Sequence, residues 1–217
     1  MGTLADAGNK TRAQLLRRLR REVSDERVLA AIASVPRERF VPAELQARAY
    51  DDVALPIGHG QSISQPTIVA VMLEALAVAP ADHVLDVGTG SGYQAALLSR
   101  LAAHVTGVER LPDLVDGARH VLRSLACDDN VEVHLGLDEL GWPQAAPYDG
   151  IAVAAAAPSV PDALVRQLRV GGRLVVPVGT PFEQNLVVLT RVSVQGDVSV
   201  RWLGPCRFVP LIGEGGW

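Results

Sequence analysis

Three glycines at alternate positions, Gly88, Gly90 and Gly92, punctuate the stretch LDVGTGSGYQ from Leu85 to Gln94. Residues without side chains let a backbone turn tightly and come close to a ligand, and a helix opening just beyond them offers its free amides. Thr89 and Ser91 lie in the same turn and belong to the same candidate site. The spacing is G-x-G-x-G, with Tyr93 where a dinucleotide site has its third glycine, which disfavours a nicotinamide or flavin ligand. Glu109 ends the next apolar run twenty-one residues after Gly88, the separation at which such a crevice sets a carboxylate beside a ribose. Its two oxygens can accept both ribose hydroxyls. Asp86, inside the first run, would lie under the turn, ionised at neutral pH, where it can receive a cofactor ammonium directly or through water. A ligand with a ribose and a cation, such as S-adenosylmethionine, answers all of these groups. Each feature alone also has a plainer reading, as a tight connection or a solvated strand end.

Those residues need strands and helices to hold them, and the chain supplies both in alternation. Apolar runs at His83–Val87, Val105–Val108, Val131–Leu135, Ile151–Ala154 and Leu174–Val178 read as strands. Helical spacing fills Ser91–Leu101 and Pro112–Ala126, with a shorter helix over Pro161–Leu168. This alternation predicts a doubly wound α/β sheet with parallel central strands. Leu186–Val194 and Val198–Leu203, separated by Gln195, Gly196 and Asp197, predict an antiparallel hairpin at one edge. Before the sheet, Leu15, Leu16, Leu19 and Val23 form the apolar side of one helix, and Ser24 can cap a second running from about Asp25 to Ser34. Residues 1–42 are expected to be a helical appendage and 43–217 the main domain, the whole being one globular unit. The irregular, glycine-bearing segment from Pro42 to Ser64 is too long for an idle connection, and Pro66 suits the first position of a helix.

Composition narrows the function classes. With 217 residues, 48% hydrophobic and 20% charged, disordered, collagenous and coiled-coil chains are excluded. The longest apolar stretch, Ile68 to Ala81, is broken by Glu74, so no membrane span is expected. The start, MGTLADAGNKTR, lacks the apolar core of a secretory signal, and a cytoplasmic protein is expected. Cys127 and Cys206 read as free thiols rather than a bridge. Net charge is −4, and the first fifty residues carry a basic excess that reads either as a face for acidic partners or, more simply, as the solvated side of an amphipathic helix bearing Arg17, Arg18, Arg20 and Arg21, so neither nucleic acid nor membrane is implied as a partner. Lys10 is the sole lysine beside nineteen arginines, which removes the lysine of a phosphate-binding loop. The histidines His83, His104, His120 and His134 have no ligand spacing, and no metal is expected.

The chain resembles the protein-L-isoaspartate O-methyltransferase family from about Val35 to Gly213. The resemblance is carried in order by VPRERFVP (Val35–Pro42), AYDDVALPIGHGQSIS (Ala49–Ser64), LDVGTGSGYQ, VER (Val108–Arg110), GWP (Gly141–Pro143), PYD (Pro147–Asp149), AAAP (Ala155–Pro158), GGRLVVPVG (Gly171–Gly179) and RFVPL (Arg207–Leu211). It implies a Rossmann-like S-adenosylmethionine-dependent methyltransferase fold with a mostly parallel sheet. It further implies transfer of a methyl group to the free α-carboxylate of an isoaspartyl residue in a protein or peptide, by a chain expected to be a monomer. By resemblance the cofactor contacts are Asp86, Gly88, Thr89, Gly90, Ser91, Gly92, Glu109, Arg110, Leu137 and Asp138. The substrate contacts are Ile57, His59, Gln61, Ser62, Ile63, Val209, Pro210 and Leu211, and Ser64 matches the active-site serine. The position of Ser64 allows two readings, a donor to the substrate carboxylate beside free helix amides or that helix's cap. His59 is read either as a loop support or as a substrate contact.

The sequence departs from the family pattern at three places. Gly136-Leu137-Asp138 stands where the family usually has Gly-Asp-Gly, which puts Leu137 in place of the carboxylate expected at the adenine amino group, with Asp138 as a substitute. Ala154 and Ser62 each replace a usual threonine. These changes leave three readings: isoaspartyl repair, methylation of an ordinary aspartate in a dedicated peptide, and binding of nucleoside or peptide without turnover.

Overall fold

The structure is a computed structural model and describes residues 4–136, 139–213 and 215–217, with side chains described from residue 11. The expectations for Leu137 and Asp138 therefore lie outside the described residues.

Two helices open the chain, α1 (Leu4–Leu19) and α2 (Glu26–Ser34). The cap of α2 is Asp25, whose side chain accepts the amide of Arg27 at 2.8 Å, and not Ser24. Ser24 is otherwise engaged: its amide and hydroxyl both donate to Glu74. Two 3₁₀ turns, Arg37–Phe40 and Ala43–Arg48, lead to a small antiparallel hairpin of β1 (Leu55–Gly58) and β2 (Gln61–Ile63), inside the segment the sequence presents as irregular. Helix α3 (Pro66–Leu76) follows, with its proline at the start as expected.

The strands β3 (His83–Val87), β4 (His104–Glu109), β5 (Val131–Leu135), β6 (Tyr148–Val153), β7 (Leu168–Gly179), β8 (Gln184–Arg191) and β9 (Val198–Cys206) form one sheet in the order β5-β4-β3-β6-β7-β8-β9. The first five are mutually parallel, and β8 and β9 add antiparallel at the edge, as the sequence predicts. Helices α4 (Tyr93–Leu98), α5 (Pro112–Ser124) and α6 (Asp162–Gln167) make the crossovers. Alternate strand residues serve two cores. Val84, Val105 and Val175 face α1 to α5, while Leu85, Ile151 and Leu174 face α6 and the segment around Leu211. Leu19, Val28, Leu29 and Phe40 share the first core with α3 and α4, so the amino-terminal helices pack into the sheet's own interior.

Asp149 of β6 ties three strands together. One carboxylate oxygen accepts the amide of His83 at 2.7 Å and the other pairs with Arg169. Because the strand order reverses between β3 and β6, the carboxyl ends of β3, β4 and β6 open a crevice, the usual ligand position in such sheets.

Candidate active site

A cleft of about 1110 Å³ occupies this crevice. It brings together Gly88, Thr89, Gly90, Ser91, Glu109 and Arg110 from the cofactor set, Ser64, and Ile57, Gln61, Ser62, Ile63, Val209, Pro210 and Leu211 from the substrate set. Asp86, Gly92 and His59 are not on its wall. Asp86 lies fully buried beneath it, Gly92 faces α5, where a Cβ would meet that of Ala118 at 3.2 Å, and His59 turns outward.

The glycine turn is built as its sequence suggests. Gly90 adopts φ +56°, a left-handed conformation open to glycine, and a Cβ there would stand 3.3 Å from Cδ1 of Ile57. The hairpin of β1 and β2 thus touches the turn. The amides of Gly88 and Thr89 donate to the carbonyl of Val108, and that of Gly90 donates to Oε2 of Glu109 at 2.9 Å. Oε1 of Glu109 accepts the amide of Leu111 at 3.0 Å. Each oxygen keeps acceptor capacity, since an ionised carboxylate has about four lone-pair sites.

Asp86 accepts Nε2 of Gln94 at Oδ1, 2.8 Å, while its Oδ2 is buried with no hydrogen-bond partner among the described residues. Burial pushes its pKa up to about 6, against the pull of Gln94. A buried oxygen without a donor beneath a glycine turn fits a cation placed there, directly or through water. With Glu109 placed for a ribose, the residues present fit S-adenosylmethionine. Gln94, the last residue of LDVGTGSGYQ, carried no role in the sequence reading, yet it orients Asp86.

Ser64 lies between β2 and α3, half-buried, and its hydroxyl has no partner among the described residues. It does not cap α3. Gln65 occupies the cap position without a side-chain bond, and Asp52 supplies the cap instead, accepting the amide of Thr67 at 3.0 Å and its hydroxyl at 2.8 Å. The carboxylate of Asp52 also pairs with Arg18 at 2.9 Å. The Thr67 amide, the first that this helix has to offer after Pro66, is therefore taken by Asp52, which narrows the expectation of free helix amides beside Ser64.

His59, at the hairpin tip with φ +53°, stands 3.5 Å from Asp113 at the start of α5, both side chains being exposed. The segment at Val209–Leu211 pairs with Ala156: the amide of Ala156 donates to Val209 and that of Leu211 to Ala156. One side of that backbone is thus occupied by the protein, and Pro210 has no amide to offer on the other. Ala154 and Ala155 line the cleft, with Ala154 against Gly88. Arg37, within the VPRERFVP segment, is fully buried behind the site.

Comparison with known proteins gives the family and the fold. A protein-L-isoaspartate O-methyltransferase of Pelotomaculum thermopropionicum is 50% identical over 211 residues, 97% of this chain and 91% of the relative. One of Methanoculleus marisnigri is 54% identical over 197 residues, 91% and 88% of the two chains. A solved protein-L-isoaspartate O-methyltransferase superposes with a TM-score of 0.84 at 27% identity, covering 94% of this chain and 67% of that one. A Plasmodium falciparum structure of the same kind, in complex with S-adenosyl-L-homocysteine, gives 0.79 at 25% identity, covering 90% and 95%. Residues 10–216 match the description "Protein-L-isoaspartate(D-aspartate) O-methyltransferase", and the chain belongs to that family.

Proposed function

We propose that the protein transfers a methyl group from S-adenosylmethionine to the free α-carboxylate of L-isoaspartyl residues in proteins and peptides, forming the methyl ester that later closes to succinimide. When bound, the cofactor supplies an electrophilic methyl group on a sulfonium. The nucleophile needs no general base, because an α-carboxyl with a pKa of about 3.5 is already an anion at pH 7. The protein's work is alignment and exclusion of water.

In this reading Glu109 receives the ribose hydroxyls, the glycine turn lets the nucleoside approach the backbone, and Asp86 answers the cationic end. The Ser64 hydroxyl donates to the substrate carboxylate and orients it. Ile57 and Gln61 to Ile63 form one wall for the peptide and Val209 to Leu211 the other.

The observation that carries the reading is that one cleft joins Ser64 of the substrate loop, whose hydroxyl has no partner among the described residues, to Glu109 and the glycine turn. The test is methyl transfer from labelled S-adenosylmethionine to two peptides that differ only in isoaspartate or aspartate at one position. Base-labile label on the isoaspartyl peptide alone is expected. Equal or preferred labelling of the aspartyl peptide would establish instead the dedicated aspartate methyltransferase, and cofactor binding without label would establish the silent binder.

A further inference from the structure

Arg37 is the largest fully buried side chain described, and no carboxylate among the described residues forms an ion pair with it. Its guanidinium spends its donors on three backbone carbonyls: Nε on Ala49 at 2.7 Å, Nη1 on Ser64 at 3.0 Å and Nη2 on Val53 at 3.3 Å. Its flat face lies 5.2 Å from the ring centroid of Tyr93, the first residue of α4 after the glycine turn. Burial lowers its pKa, which the nearby Tyr93, Asp52 and Tyr50 oppose.

Burying a cation away from water is costly unless charge-assisted hydrogen bonds replace its hydration. Here that cation is bonded to one stretch of chain only, residues 49 to 64, the loop that faces the cleft. A planar fork fixes the spacing of the groups it binds, which a flexible ammonium does not. One of those groups is the carbonyl of Ser64 itself. With Arg37 pressed on Tyr93, the backbone of Ser64 is referenced to the helix that starts at the cofactor turn.

We infer that Arg37 is a positioning residue for methyl transfer, acting through Ser64: it anchors the substrate loop at three carbonyls and so sets the distance between the Ser64 hydroxyl and the cofactor turn. The inference rests on the donor role proposed for Ser64. Arg37 touches neither substrate nor cofactor in this account, so its loss impairs alignment and leaves cofactor binding intact.

The test is a double-mutant cycle of Arg37→Lys with Ser64→Ala, read as kcat/KM for an isoaspartyl peptide, with S-adenosylhomocysteine affinity measured by calorimetry. Arg37→Lys keeps the charge and loses the fork. It is expected to slow transfer by up to about 100-fold, the cost of misplacing a reacting group by an ångström or so. Cofactor affinity should stay within about twofold, and in the Ser64→Ala background Arg37→Lys should add less than about twofold, the ordinary limit of additivity. A full additional loss in that background would overturn the inference and make Arg37 merely structural. Wild-type turnover by Ser64→Ala would instead overturn the donor role, and the inference with it. If Arg37→Lys does not fold, the wild-type Arg37 Nε–H resonance decides: it should be protected from solvent exchange and shift on titration with the isoaspartyl peptide. An unshifted signal at saturation would overturn the inference.

Discussion

Glu109 and Gly90 hold each other across the cofactor turn, the amide of one donating to the carboxylate of the other at 2.9 Å. The carboxylate proposed as the ribose acceptor is thus oriented by the backbone of the turn itself. Glu109→Ala removes the ribose acceptor and leaves the amides of Gly90 and Leu111 without partners. Loss of a charged acceptor costs about 1.5–3 kcal/mol, so the Kd for S-adenosylhomocysteine should rise roughly 10- to 100-fold. Calorimetric titration checks this, and an unchanged Kd would transfer the ribose to another group.

Ser64→Ala should act on the other partner. The hydroxyl has no partner among the described residues and its proposed ligand is the substrate carboxylate, so turnover should fall by about 10-fold or more for one lost hydrogen bond to a charged group. Cofactor affinity should be untouched. Single-turnover transfer at saturating cofactor, set beside calorimetry, separates the two.

Asp86 makes stability depend on pH with a known sign. Its folded pKa, about 6, lies above the ordinary value of 3.8, so the folded state prefers the protonated form. That preference is fully expressed below about pH 4 and is lost as pH rises through 6, leaving the cofactor-free fold less stable by about 3 kcal/mol at pH 7. Asp86→Asn cannot ionise. Its unfolding free energy relative to the parent should therefore rise between pH 4 and pH 7 by up to that amount, measured by urea denaturation. A flat difference would show that Asp86 does not titrate there.

Glu74 is expected to matter for cohesion alone. Its Oε1 accepts the Ser24 amide at 2.7 Å, the Ser24 hydroxyl at 3.0 Å and the Asp25 amide at 2.8 Å, binding α3 to the head of α2. Glu74→Gln should lower unfolding free energy by about 2 kcal/mol, the scale of hydrogen bonds to a charged group. Denaturation should remain a single transition, because α1, α2 and the sheet share one core. A separate early transition would mean that the first forty residues unfold on their own.

The sheet was legible because its signals are local. β3 and β5 fall at the bounds that their apolar runs mark, and the antiparallel edge follows from a turn between two such runs. The glycine turn and Glu109 were legible because a fixed separation along the chain becomes a fixed separation in space. The remainder depends on residues distant in sequence. Nothing near Pro66 announces that Asp52 caps α3 from fifteen residues away, or that Glu74 has engaged Ser24 from fifty residues away. Arg37 looks like one more solvated charge among the arginines of the amino-terminal segment until the fold closes over it. The short hairpin of β1 and β2 has too few alternating residues to register as strands.

The bonds to Asp149 have a consequence for the protein's own durability. Asp149 is followed by Gly150, a pair in which the bare second residue leaves its amide nitrogen open to attack the neighbouring side-chain carbonyl and so begin isomerisation. Here the aspartate, at an irregularity in the β6–β7 register, is clamped by its side chain between the His83 amide and Arg169, and the glycine pairs with Val84 of β3 on one side and Arg173 of β7 on the other. The ring that starts such ageing cannot close without breaking the sheet, and at this bond the repairer is spared the lesion that it mends.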